Sequence, residues 1–330
     1  MADLFGMYVT DHAEPHLKPN SVREAKRLIE KTLKPQFGQM KVSAIGRQDV
    51  ARFLASMRET PTLANRCLAL MSKALNLAEE WGYRAINTNP CAKQKKYAEA
   101  ARERFLSTDE LMRLGATLIE AERDGLPWKV DETKPTAKHL PSAPHRLAPV
   151  DVTALNVLRL LLLTGARLSE MTELRWEHVD FERETISLPR MKGRPRRASP
   201  ASGQAMAFLG RLPQVNGSPW VFPRVGDPER PISNNVMQSV WQRVRWHAKL
   251  EDVHIHDLRH TVGTWASKTG ASPFGIRDML RHGNVTMTDR YVNADSDPVR
   301  EVQNTVGKAI VAALEGRKAD VIKLTERRRS

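Results

Sequence analysis

A chain of 330 residues exceeds what one hydrophobic core usually holds, so two domains are expected. Its 41% apolar and 27% charged residues exclude general disorder, and 52 Lys and Arg against 38 Asp and Glu leave a net charge of +14. Such a balance points to a polyanionic partner, above all nucleic acid.

Residues 1–100 hold 16 basic and 10 acidic side chains, a net of +6, leaving +8 for the remainder, so both halves are basic. The two cysteines, Cys67 and Cys91, lack ligand-type spacing, which argues against structural zinc and against a disulfide framework. The opening MADLFGMYVTDHAEP has neither the basic start nor the apolar core of a signal peptide. The longest apolar stretch, 157–164, is interrupted by Arg159 and is too short to span a bilayer. A cytoplasmic protein without membrane contact is expected.

In chain order, apolar residues at helical spacing predict helices over 21–33, 48–58 and 62–81. The last carries Leu63, Cys67, Leu70, Ala74, Ala78 and Trp81 on one stripe, which reads as core. Thr88-Asn89-Pro90 ends this region, and CAKQKKYAEAARER reads as a polar, basic, core-free connection. The expected organisation is a helical domain over 1–95, a linker over 96–104, a second domain over 105–296 and a C-terminal segment over 297–330. Ser107-Thr-Asp-Glu110 is a capping box opening a helix through Glu122. Residues 123–149 read as an irregular insertion. Residues 150–163 are apolar nearly all round and predict a buried central helix. Thr185–Pro189 and a run after Gly193-Arg194-Pro195 suggest a hairpin, Trp220–Phe222 a further strand, and helices resume at 234–249, 257–268 and 273–281. The predicted class is therefore mainly α with a small antiparallel β-sheet.

Four separated segments carry reactive side chains: Thr164-Gly-Ala-Arg167-Leu-Ser-Glu170, Met191-Lys192-Gly-Arg-Pro-Arg-Arg197, His254-Ile-His256-Asp-Leu-Arg259-His260, and Leu280-Arg-His282-Gly followed by Thr288-Asp-Arg-Tyr291. Each alone has an ordinary reading: a surface arginine, a solvated hairpin lysine, a structural His-x-x-Arg, a histidine at a helix C-terminus, a half-buried tyrosine. Together, in this order and at this spacing, they resemble the catalytic domain of tyrosine recombinases, the lambda-integrase and Xer-like family. The resemblance covers about residues 105–295, and the helical first domain is similar to that family's core-binding domain.

The resemblance implies DNA cleavage and rejoining by a tyrosine nucleophile, Tyr291, leaving a 3′-phosphotyrosyl bond. A phosphodiester in reaction gathers negative charge on its non-bridging oxygens, which planar guanidiniums clamp with paired hydrogen bonds. Arg167 and Arg259 are the expected clamp. His256, three residues from Arg259 on one helical face, is expected to donate to the phosphate or accept the tyrosine proton. His282 adds a phosphate hydrogen bond, and Lys192 is expected to protonate the leaving 5′-oxygen. Glu170 is expected to orient Arg167 from behind, with His260 a further supporting side chain. No metal, cofactor or ATP is expected.

The sequence departs from the family pattern at Arg281, where a glycine usually precedes the histidine. Arg194, Arg196 and Arg197 also make Lys192 one cation among several. Residues 123–149 have no counterpart in the family pattern, and an arm-binding domain is not visible. The helix around Gln238, Gln242, Arg243 and Arg245 offers side chains suited to base edges or phosphates. An amphipathic helix after Asp297-Pro298, with Val299, Val302, Val306, Ala309, Ile310 and Ala313 on one stripe, packs either on its own domain or on a neighbour. By resemblance, residues 297–316 are expected to join protomers in a tetramer on double-stranded DNA, with DNA-bending accessory proteins as further partners. An integrase of a prophage or genomic island fits better than a chromosome-dimer resolvase. A type IB topoisomerase and a catalytically silent DNA-binding regulator remain open as alternatives.

Overall fold

The computed structural model describes residues 1–99, 103–128, 147–188 and 197–281. The chain divides into two compact units, 1–102 and 103–330. The described residues are mostly helical with small antiparallel sheets, as the sequence predicts.

In the first unit, α1 (Ala2–Met7) continues through a π-helical turn (Tyr8–Ala13) into α2 (Glu14–His16). α3 (Pro19–Leu28) likewise passes through a wide turn (Ile29–Leu33) into α4 (Lys34–Phe37), followed by α5 (Arg47–Ser56) and α6 (Pro61–Glu80). Pro at the first turn of α3 and α6 costs no hydrogen bond there and presets the helical φ. The buried face of α6 is broader than one stripe. Ala64, Leu68, Met71, Leu75 and Leu77 join Cys67, Leu70, Ala74 and Ala78 in the core, while Leu63 and Trp81 pack at its edge.

The segment after α6 corrects an expectation. It is not core-free: Cys91 is buried, and burial pushes its thiol up to about 12. The Tyr97 N–H donates to Asn65 Oδ1 (2.9 Å), the Asn65 amide donates to the Tyr97 carbonyl (2.9 Å), and the Tyr97 hydroxyl donates to the Leu54 carbonyl (2.8 Å). Asn89 similarly donates to the Ser72 carbonyl. Residues expected to form the start of a linker are thus held on the first unit by the buried Asn65, with Asn89 fixing the chain just before them. At the other end, Arg104 belongs to the second unit, where it pairs with Glu110 (2.5 Å) and Asp252 (2.7 Å).

The second unit opens with α7 (Thr108–Arg123), whose capping box is formed: Glu110 N donates to Ser107 Oγ, and Ser107 N to Glu110 Oε2. β1 (Leu126–Pro127) pairs antiparallel with β2 (Leu147–Ala148), so the ends of the stretch expected to be irregular are zipped together. α8 (Val152–Thr164), capped by Asp151, runs through the core with Leu155, Val157, Leu158, Leu160 and Leu161 buried. Its lone charge, Arg159, reaches out to Glu122 and the Leu118 carbonyl on α7.

α9 (Leu168–Thr172) follows, then a three-stranded sheet of β3 (Val179–Asp180), β4 (Thr185–Leu188) and β5 (Arg197–Pro200), in which Arg197 pairs with Leu188. After α10 (Gly203–Gly210), the strand expected at 220–222 is a single bridge between Arg175 and Trp220, and the ladder lies just beyond, β6 (Pro223–Arg224) with β7 (Asp227–Pro231). α11 (Asn234–His247), α12 (Ile255–Lys268) and α13 (Pro273–Leu280) close the described part. Trp241 of α11 is fully buried and bonds the Val253 carbonyl, while Leu106 and Trp265 tie the start of the unit to α12.

Candidate active site

The site begins with a turn. α8 ends at Gly165, in the left-handed conformation (φ 59°) that favours glycine. A β-carbon there would meet Leu280 Cδ2 at 2.7 Å and Val262 Cγ1 at 3.0 Å, so the turn presses against α12 and the end of α13. The chain then enters α9 at Arg167. Glu170, one turn on, accepts from the Arg167 backbone N–H (2.9 Å) and from its Nη1 (2.7 Å). Its carboxylate is nearly buried, with 9% of the side chain exposed, whereas the Arg167 side chain is 25% exposed. One carboxylate thus holds both the backbone and the side chain of this arginine.

Arg259 comes to the same junction from α12. It is buried (3% exposed), donates Nη1 to the Gly165 carbonyl (2.6 Å), and donates Nη2 to the Leu280 carbonyl. A guanidinium carries five N–H groups in one plane, and these two bonds fix that plane between the α8 turn and the end of α13. On the same helix His256 is exposed and His260 buried, their rings meeting edge to face at 4.8 Å. α12 starts with the His254 N–H donating to Asp257 Oδ2 (2.8 Å), which sets the phase of that helical face.

Of the proposed site residues, Arg167, Glu170, Arg259, His256 and His260 therefore lie on α9 and α12, the first three within one connected junction. Lys192, Arg194, Arg196, His282 and Tyr291 lie outside the described residues, as does the segment 297–316. Sequence reasoning did not place Arg281 in this group. It caps α13 in the left-handed conformation (φ 56°, ψ 44°), and its Nη2 lies 3.6 Å from Glu170 Oε2. Burial pushes its guanidinium below the ordinary value, with Arg167 adding to that and Glu170 opposing it. The signal was the departure itself, an arginine where a glycine is usual.

One expected DNA contact needs correction. Arg243 donates to the carbonyls of Pro149 (3.0 Å), Ala148 (2.6 Å) and Leu126, clasping the β1–β2 ladder to α11. Burial lowers its pKa, and its role is structural. Arg245 is bonded to Gln242 Oε1 and the Val253 carbonyl, while Gln238 and Gln242 are exposed on the same helix. Among the described residues, no three His, Cys, Asp or Glu side chains assemble as a metal site, and no helix is long and apolar enough to cross a membrane.

Arginines thus gather around one carboxylate on a helical unit with small antiparallel sheets. Residues 133–297 match the phage integrase family model, and residues 1–58 match the phage integrase N-terminal SAM-like domain. The chain belongs to the phage integrase family of tyrosine recombinases. A shufflon-specific DNA recombinase of Escherichia coli is 25% identical over 230 residues, which are 68% of this chain and 49% of that protein. Tyrosine recombinase XerC of Xanthomonas axonopodis pv. citri is 24% identical over 235 residues, 63% of this chain and 75% of the relative. The chain spans about half the length of several curated relatives it matches. Among solved structures, lambda integrase (75–356) as a dimer bound to a COC′ core site has a TM-score of 0.65 at 15% identity, covering 89% of this chain and 95% of that one. The Tn1549 transposon integrase (82–397) in complex with circular intermediate DNA has a TM-score of 0.65 at 17% identity, covering 92% and 98%.

Proposed function

We propose that this protein is a site-specific recombinase, the integrase of a prophage or genomic island, that cuts and rejoins double-stranded DNA through a 3′-phosphotyrosyl bond to Tyr291. The observation that carries this reading is the junction in which Glu170 holds Arg167 while the Gly165 and Leu280 carbonyls hold Arg259. Donors fixed before the substrate arrives stabilise the charge of the transition state without reorganising, which is where electrostatic catalysis gains most.

In this reading Arg167 and Arg259 clamp the non-bridging oxygens of the scissile phosphate. His282 adds a hydrogen bond to it, and His256 either donates to the phosphate or takes the Tyr291 proton. The tyrosine, whose unperturbed pKa is near 10, needs that base and those cations to attack at neutral pH. The phenolic oxygen forms a bond to phosphorus as the bond to the 5′-oxygen breaks, and Lys192 gives that oxygen its proton. The phosphotyrosyl ester conserves the energy of the broken bond, so rejoining by a 5′-hydroxyl consumes no ATP, and the guanidiniums supply the charge stabilisation that a divalent ion supplies elsewhere.

The net charge of +14 supports a grip on the DNA backbone that weakens steeply with salt. A lambda integrase tetramer bound to a Holliday junction is among the similar structures (TM-score 0.62, 16% identity). We extend that assembly to this chain, with residues 297–316 docking on a neighbour, accessory bending proteins assisting, and the reaction taking place in the cytoplasm of a bacterial host.

The test is incubation, with EDTA and without ATP, of the protein with nicked duplexes carrying candidate attachment sites, read on a denaturing gel. A covalent adduct is expected from wild type and none from Tyr291→Phe. Absence of an adduct on duplexes that wild type binds would overturn the enzymatic reading in favour of a DNA-binding regulator. Relaxation of supercoils without strand exchange would point to a topoisomerase.

A further inference from the structure

Arg281 is out of place by two ordinary criteria. Its backbone is left-handed (φ 56°), a conformation that a residue with a β-carbon adopts at a cost and that persists where the surroundings impose it. Its side chain is 20% exposed, yet among the described residues Nε and Nη2 are buried without a hydrogen-bond partner. Buried donors are almost always satisfied in folded proteins, and a charged donor left without an acceptor is more costly than a neutral one. The Glu170 carboxylate is 3.6 Å away and already accepts two bonds from Arg167. Two guanidiniums on one carboxylate leave net positive charge, with Arg259 bonded to the carbonyl of the residue just before Arg281. Surplus cation and unsatisfied N–H groups together suit an anionic acceptor.

We infer that Arg281 is a third phosphate-binding arginine, donating from its guanidinium to the non-bridging oxygens of the DNA phosphate held at the Arg167–Glu170 junction. The inference rests on the recombinase reading. A purely structural Arg281 would only balance Glu170, and its loss would be felt equally whatever the phosphate carries. A phosphate ligand requires the opposite: the contribution of Arg281 vanishes when that one phosphate loses its charge.

The experiment is a double-mutant cycle on binding. A duplex is selected from a randomised pool with wild-type protein, and its scissile position is mapped by the wild-type adduct. Affinity for the duplex is then measured in the Tyr291→Phe background, with and without Arg281→Gly, using either the natural phosphate or a methylphosphonate at that position. Arg281→Gly is expected to weaken binding to the natural duplex about tenfold or more, as loss of a charge-assisted bond does, and to leave methylphosphonate binding nearly unchanged. In the Tyr291 enzyme it is expected to slow adduct formation about a hundredfold, with Arg281→Lys recovering part of the rate. Glycine suits the left-handed backbone, so the unfolding midpoint should hold. Equal losses on both duplexes, or wild-type affinity and rate in Arg281→Gly, would overturn the inference while leaving the recombinase reading intact. No adduct from wild type on any selected duplex would bring down the recombinase reading and this inference with it.

Discussion

The two units bury different kinds of polar group. Among the described residues, the first unit buries Asn65 and Asn89, neutral amides that hold the following segment in place. Besides several threonines, the second buries the ionisable side chains of Glu170, His178, Asp257, Arg259 and His260, four of them on α9 and α12. A neutral amide that finds its partners costs a fold little, whereas a charge taken out of water is repaid only by close pairing and is often no more stabilising than an apolar replacement. A fold that retains ionic groups inside is spending stability on something other than stability. The first unit is organised for shape, the second for charge.

The largest test of this contrast is Arg259→Ala. It removes the brace between Gly165 and Leu280 and leaves their two carbonyls unpaired, so the second unit is expected to lose about 2–6 kcal/mol, about 1–3 for each. Peptide-level hydrogen exchange should show faster exchange over α12 and α13 with the first unit unchanged. Protection lost equally in both units would mean that the contrast is false. A smaller effect is expected from Asn65→Ala, about 1–3 kcal/mol for the buried partners it orphans. It should release residues 97–99 and speed limited proteolysis after Lys95 or Lys96 while leaving the adduct rate of the second unit intact. The smallest effect lies at the rim. The Arg104 guanidinium holds the Glu110 carboxyl below its ordinary value of 4.5. A depressed folded-state pKa contributes stability above the unfolded value and loses it as pH falls through the folded one. Glu110→Gln should therefore lower the unfolding free energy at neutral pH by under about 1 kcal/mol, and the gap to wild type should close as the solution is acidified below pH 4.5, measured by thermal melts across pH.

How far the sequence reveals this molecule follows from the range of its interactions. The helices with strong periodicity and a local cap were readable, because Ser107–Glu110 and the apolar run of α8 act within a few residues of themselves. The β6–β7 ladder was not, since prolines and charges give it no strand signature and its pairing shows only in three dimensions. Arg243 looked like a surface side chain because its carbonyl partners lie about a hundred residues upstream. The connection after Cys91 looked detached for the same reason: Asn65 meets it from 32 residues away. Within the site, side-chain types announced Arg167 and Arg259, whereas Arg281 showed only as a departure, and its meaning came from its φ and its unsatisfied nitrogens.

The tight fit at Gly165 binds the histories of residues that are far apart in the chain. With Leu280 and Val262 closing over a turn whose φ is 59°, an alanine at 165 is strained, and a smaller residue at 280 or 262 relieves the crowding part of that strain. Revertants of a Gly165→Ala mutant should therefore arise at those two positions, and drifting relatives that change one should tend to change its companion.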